Sequence, residues 1–123
     1  MFPKISRKPI QVYKVFRLEG DKLITPYQEQ SCKVGETIKA KYSWIKGVLK
    51  NKIEGEGVHA FVSKCDADCL AVFGWFYRVY LCEIPPFTPY WIDDDDDEIA
   101  ASKMIIKKEV FSLKDRKLIY PKN

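Results

Sequence analysis

Apolar and polar positions alternate through the stretch "QVYKVFRLEG", which puts Val12, Lys14 and Phe16 on one face and Tyr13, Val15 and Arg17 on the other. A period of two with β-branched and aromatic content predicts a strand. Glu19-Gly20-Asp21 then reads as a turn, and "KLITPY" as a short return strand stopped by Pro26. "CKVGETIKAKYSW" predicts a second hairpin that turns at Gly35, with alternation resuming from Thr37 to Tyr42. In "IKGVLKNKIEGEG", Ile45, Val48, Leu49 and Ile53 have helical spacing, but Gly47, Gly55 and Gly57 interrupt and close it, so a short helix and an irregular loop both fit.

"VHAF" reads as a brief strand leading into a helix. Ser63 is a suitable N-cap, because its hydroxyl can accept from the amides of Cys65 or Asp66, and Asp66 places a negative charge in the first turn. Cys65, Cys69, Val72 and Phe73 follow at i, i+4, i+7 and i+8, which predicts that they form the buried face of a helix over 64–73 ended by Gly74. "FYRVYLCEIPPF" is a nearly continuous apolar run, the pattern of a central strand covered on both faces and stopped by Pro85 and Pro86. "TPYWI" predicts a short strand into an acidic run. "EIAASKMIIKKEVF" predicts a long strand out of it, bent near Ala100-Ala101.

These elements predict an α+β fold over 1–123 as a single domain: a mostly antiparallel sheet of five to seven strands with one main helix, about 64–73, packed on one face. Residues 1–10, with two prolines and three basic side chains, read as a flexible arm. Residues 93–98 read as an acidic hairpin tip, and 114–123 as a tail.

Composition narrows the class. The chain of 123 residues is long enough for one core, and its seven Phe, seven Tyr and three Trp fill it without disulfides, so four cysteines read as free thiols in a reducing compartment. No apolar run reaches the length of a membrane span and no leader pattern opens the chain, which together predict a cytoplasmic protein, in the host cytoplasm if phage-encoded. The net charge of +4 conceals an asymmetry. Setting aside "DDDDDE" at 93–98 leaves 21 basic against 11 acidic residues, a net +10. A basic body attracts polyanions. Trp75, Phe76, Tyr77, Arg78 and Tyr80 also crowd one segment, as base-stacking residues do. No nucleic-acid-binding motif accompanies them, and nucleic acid is not the expected partner.

Candidate chemistry centres on "GEGVHAFVSKCDADC", which holds the only histidine. His59 and Cys65 are the catalytic candidates: Cys65 lies where the helix dipole favours a thiolate, and His59 would be its base. His59, Cys65 and Cys69 are the residues that would ligate a metal, but no CxxC or second pair completes a zinc set, and none is expected. The cysteines equally fit as small hydrophobes on a helix face. His59 is the residue of the cluster best placed for a ligand, with Tyr13, Lys14 and Arg78 as further ligand-binding candidates. The run Asp93, Asp94, Asp95, Asp96 and Asp97 lacks the spacing of a calcium loop; it reads as a solvated tip or as a docking patch for a basic partner. With no Walker loop and no GxGxxG, no cofactor is expected.

The order "VYKVF", "GEGVHAF-S-K-DA", "RVYLCEIP--TPY" and "EIAASKMIIKKEV" resembles a group of small phage and bacterial proteins with a YKxF first strand, a GFHAF segment, an IPxGTxY strand end and a closing EIxxxKIxI strand. The resemblance covers roughly residues 12 to 110. The chain departs from it at Val58, where the pattern has Phe, and at Pro86-Phe87, where it has a small residue and Gly. The resemblance implies a fold and a phage setting, not a reaction. A fainter likeness is to the ADP-ribosyltransferase fold, whose catalytic glutamate would fall at Leu81 here, with Glu83 out of register; it implies a degenerate, ligand-binding version of that fold. The resulting expectation is an accessory protein that binds a host protein or small ligand without catalysis. The alternative is an enzyme or degenerate ADP-ribosyltransferase-like domain with its site around His59.

Overall fold

The computed structural model describes residues 4–25, 31–40, 58–71, 77–92 and 97–111. Ten strands and one helix are defined there: β1 (Lys4–Ile5), β2 (Ile10–Glu19), β3 (Lys22–Ile24), β4 (Ser31–Cys32), β5 (Thr37–Lys39), β6 (Val58–Phe61), α1 (Lys64–Ala71), β7 (Tyr77–Ile84), β8 (Pro89–Ile92), β9 (Glu98–Ala101) and β10 (Lys103–Phe111). All described pairings are antiparallel and join one sheet in the order β1-β8-β9-β6-β2-β7-β10-β5, with β3 added to the end of β2 and β4 to β3. The expected α+β fold with five to seven strands is therefore corrected to a ten-stranded, predominantly β architecture with one short helix among the described residues.

Three local effects account for the extra strands. The opening segment, expected as an arm, pairs with β8 through Lys4↔Tyr90 and Ile5↔Pro89. The expected hairpin about Gly35 does turn there, with Glu36 N–H donating to Lys33 O at 3.0 Å, but its arms part company. β4 pairs with β3 and β5 with β10. The closing strand breaks at Ser102 into β9 and β10. Elsewhere the expected elements form, including β2, its Gly20-Asp21 turn into β3, β6, β7 and β8. Gly20 has φ +64 in that turn, the left-handed first position that a two-residue hairpin fills with glycine. The segments 45–57 and 114–123 lie outside the described residues.

Ser102 shapes the sheet. In a flat sheet the path β9-β6-β2-β7-β10 would separate β9 from β10 by four interstrand spacings, about 19 Å. One residue joins them, so the sheet must curl back on itself. Ser102 also ties the outer strands, accepting from Ala40 N–H at 2.8 Å and donating to Pro89 O at 3.1 Å. The enclosed inner face carries one cluster running from Ile38 on β5 through Met104, Ile106, Cys82, Ile84, Val12 and Phe16 to Val58, Ala60, Ile99 and Ala101. Phe16 and Tyr80 meet edge to face there, with centroids 5.6 Å apart.

On the outer face, α1 covers Val15 and Val79 with Ala67 and Ala71, both fully buried, beside Tyr13, Phe61, Tyr77 and Val110. Ser63 caps the helix as expected, its Oγ accepting from Asp66 N–H at 3.4 Å. The expected buried face is not the observed one: Cys65 and Cys69 are exposed, and Ala67, Asp68 and Ala71 are buried. Val72 and Phe73, placed by the sequence on that face, lie outside the described residues. Alanine lets the helix backbone lie close to the strands, so size decides which stripe faces inward.

Ala67→Leu is accordingly expected to lower stability by about 1–3 kcal/mol through overpacking. Cys65→Ser and Cys69→Ser should stay within about 0.5 kcal/mol of the parent, as exposed substitutions do. Chemical denaturation of the three variants checks the helix orientation; the reverse ranking would restore the cysteine face.

Candidate functional site

β2 divides the expected site residues between two faces. Tyr13 points outward, half-buried under α1, and Lys14 points inward. His59 follows the same alternation on β6: Val58 and Ala60 enter the inner core, whereas half-buried His59 and Phe61 take the other face. Arg78 sits on β7 opposite Phe16, on the face of Tyr80, where its Nε lies 3.6 Å from Glu109 Oε1 and its Nη1 donates to Tyr77 O at 2.9 Å. Tyr13, Lys14, His59 and Arg78 are thus near one another in the sheet but do not converge on one point.

The cysteines do not complete a site with His59. Cys65 and Cys69 face solvent on α1, and the Cys69 thiol is held above its usual range by desolvation, then by Cys65, which also hydrogen-bonds it, and by Asp66 and Asp68. That is the wrong direction for a thiolate nucleophile or metal ligand. Among the described residues no three His, Cys, Asp or Glu side chains are grouped to hold a metal. Leu81, where the ADP-ribosyltransferase likeness would need glutamate, is a half-buried residue of β7, and neighbouring Glu83 lies 3.9 Å from Lys107 Nζ. The acidic run connects β8 to β9, which pair through Ile92↔Ile99; Asp93–96 lie outside the described residues, and Asp97 is exposed, its carbonyl accepting from Val62 N–H at 2.9 Å.

Lys14 is the unusual inner-face residue. It is 4% exposed, and its Nζ donates to His59 O at 2.5 Å and lies 5.7 Å from the Phe16 ring centroid. The backbones of β2 and β6 pair only at Tyr13↔Phe61, so this side-chain bond joins the two strands beyond their ladder. Among the described residues no carboxylate pairs with the ammonium. Burial lowers its pKa from 10.5 to about 8, against the smaller opposing influence of the Cys82 and Cys32 thiols. Burial raises those thiols in turn, Cys32 to about 11 and Cys82 to about 12. A neutral thiol beside a buried amine is a poor nucleophile.

A second constellation, which sequence reasoning missed, builds the corner where β1 meets the β7–β8 turn. Pro85-Pro86-Phe87-Thr88 turns with Phe87 at φ 61. Its third position is left-handed, which in a type II turn favours glycine. The usual bond across such a turn would run from Thr88 N–H to Pro85 O. Here the Ser6 hydroxyl is inserted, accepting from Thr88 N–H at 2.9 Å and donating to Pro85 O at 2.7 Å. The Ser6 backbone adds two bonds, from its N–H to Thr88 O (3.0 Å) and from Phe87 N–H to its O (2.6 Å). Ser6 and Thr88 are buried, while the Phe87 side chain between them is 79% exposed. Ser and Thr in a proline-rich loop carry no periodic signal.

The three buried groups give a pH dependence. Unfolded, Lys14 keeps its proton to about pH 10.5; folded, only to about 8. Between these values the unfolded chain binds more protons, so stability rises with pH, and below pH 8 the full cost of about 3 kcal/mol is present. Cys32 and Cys82 act oppositely: above their ordinary value of 9.0 the unfolded chain loses thiol protons that the folded chain keeps, and stability falls. Stability should therefore peak at about pH 9. Lys14→Met should abolish the rise below the peak and stabilise the protein at neutral pH by about 2 kcal/mol, the loss of one hydrogen bond offsetting part of the gain. Denaturant midpoints from pH 6 to 10 check both; a flat parental profile would mean that Lys14 is solvated. No protein-family model, curated protein or solved structure matches the chain in the comparisons made with each.

Proposed function

We propose that this chain is a small non-catalytic binding protein, of the phage accessory type its motifs resemble, and that it engages a protein partner through the corner formed by Phe87. The groups suited to catalysis are separated or silenced: His59 and Cys65 lie on different elements, the Cys32, Cys69 and Cys82 thiols are held protonated, and Lys14 is enclosed.

The observation that carries the reading is Phe87. A bulky residue in the left-handed region costs on the order of 1–2 kcal/mol and persists only where its surroundings enforce it. Ser6 enforces it with four hydrogen bonds, and the strained residue then buries almost nothing of its own ring. Such an arrangement gives the fold no packing in return for the strain. It does present an aromatic side chain on a backbone that is already fixed before contact, which lowers the backbone entropy lost on association.

Phe87→Gly is therefore expected to raise the melting temperature by a few degrees, because removing the left-handed strain outweighs the roughly 0.5–1 kcal/mol of backbone entropy that glycine adds. Ser6→Ala should instead cost about 1–3 kcal/mol by stranding the buried Thr88 N–H and Pro85 O. Thermal melts of both variants check the proposal. A Phe87→Gly protein that melts lower than the parent would show that the ring serves packing, and would remove the ground for a contact role.

A further inference from the structure

Five large apolar side chains are exposed among the described residues: Ile5, Val34, Val62, Leu70 and Phe87. Four of them fall into two groups. Phe87 and Ile5, 79% and 52% exposed, share the corner where Phe87 N–H meets Ser6 O and Ile5 lies opposite Pro89. Val62, just before α1, and Leu70, in its last turn, are 37% and 40% exposed. Asp66 stands one turn before Leu70, and Val62 N–H is bonded to Asp97 O.

The two groups have opposite charge. Segments 4–11 and 84–92, which build the Phe87 corner, contain Lys4, Arg7 and Lys8, all exposed, and no carboxylate. Segments 62–71 and 97–101, which build the α1 side, contain four carboxylates against Lys64 alone, and Lys64 is already paired with Asp68 at 2.5 Å. In both cases exposed apolar side chains and charged ones share the same segments, the mixture found in interfaces with an apolar centre and a charged rim. One chain cannot join its own two patches: Phe87 precedes β8 and Asp97 precedes β9, so they stand at opposite ends of that hairpin, about 13 Å of strand apart.

We propose that the partner of the Phe87 corner is the α1 side of a second copy of this chain, in a head-to-tail contact that sets Phe87 and Ile5 against Val62 and Leu70 and Lys4, Arg7 and Lys8 against Asp66 and Asp97. The inference rests on the reading of Phe87 as a contact residue and names what it contacts. Because the two patches differ, the contact is heterologous. Each copy keeps one patch open, and association continues into a ring or a filament rather than stopping at a dimer. A protein presenting one aromatic anchor is favoured here over single-stranded nucleic acid, since among the described residues no second large exposed aromatic offers a stacking platform.

The test is sedimentation velocity of the full chain, under reducing conditions because Cys65 and Cys69 are exposed. The parent should sediment faster as concentration rises, and high salt should weaken the association through the charged rims. Phe87→Asp and Leu70→Lys should each be monomeric, one with an intact α1 side and the other with an intact corner. Mixed in equal amounts, they should form a 1:1 dimer that does not grow, which also shows that both variants fold. A parent that stays monomeric at every concentration, a mixture that stays monomeric, or association that survives either substitution would each overturn the proposal. A monomeric parent that instead binds a labelled oligothymidylate, and loses it on Phe87→Asp, would assign the corner to nucleic acid. The Phe87→Gly melt judges the contact reading separately when it is run at a concentration where the parent is monomeric, because association raises the apparent melting temperature.

Discussion

The sheet's closure depends on Ser102. β9 and β10 stand at the two ends of a five-strand path, yet a single residue links them, and no flat sheet can satisfy both facts. Curling turns one face of β2, β6, β7, β9 and β10 into an interior and the other into an exterior. From that division follows the fate of almost every side chain of interest. Val12, Lys14 and Phe16 are enclosed together because they share a parity on β2, and Tyr13 and Val15 become the seat of α1 for the same reason. The Ser102 backbone, accepting from Ala40 N–H and donating to Pro89 O, extends the closure to the ends of β5 and β8.

An interior closed in this way must accept whatever the alternation delivers, including an ammonium. Lys14 meets its need for a partner with the His59 carbonyl, a position where the β2–β6 ladder has already ended at Tyr13↔Phe61. The same burial that lowers the lysine raises the thiols of Cys32 and Cys82, so the interior holds its titratable groups in uncharged or weakly satisfied forms. The arrangement costs stability at neutral pH, which a purely apolar residue would not. It also fixes where β6 lies against β2, and so the seat of α1, which contacts both strands.

Much of the strand pattern was legible, because the β-branched and aromatic runs of β2 and β7 are direct imprints of strands covered on both faces. What the pattern could not say was which face of β2 becomes the interior: the helix and the core of the curled sheet each cover one side, and both sides carry apolar residues alongside a basic one, Lys14 or Arg17. The helix shows the same ambiguity. The stripe through Cys65 and Cys69 and the stripe through Ala67 and Ala71 both repeat every four residues, and only the closeness of helix to sheet selects the smaller pair. Strand partners were the least readable. Nothing local to "CKVGETIK" tells β4 to join β3 and β5 to join β10, because those choices are made by strands distant in sequence. Ser6 was hidden for a related reason: its importance lies in a turn some eighty residues away.

The proposed mode of action follows from what closure leaves outside. Groups with chemical potential in the sequence, Lys14 and the thiols of Cys32 and Cys82, are withdrawn into the core, whereas the Cys65 and Cys69 thiols stay exposed on α1. Ser6 illustrates the economy of the arrangement. By taking the place of the turn's own hydrogen bond it holds Phe87 in a backbone region that glycine would occupy without strain, and it does so from β1, a strand of two residues whose pairing is confined to β8. Loss of β1 pairing would therefore release the Phe87 corner without touching the core. In the proposed reading, a contact corner mounted on the sheet's edge in this way can be altered by substitution at a few positions while Val12, Phe16, Met104 and Ile106 go on specifying the same fold.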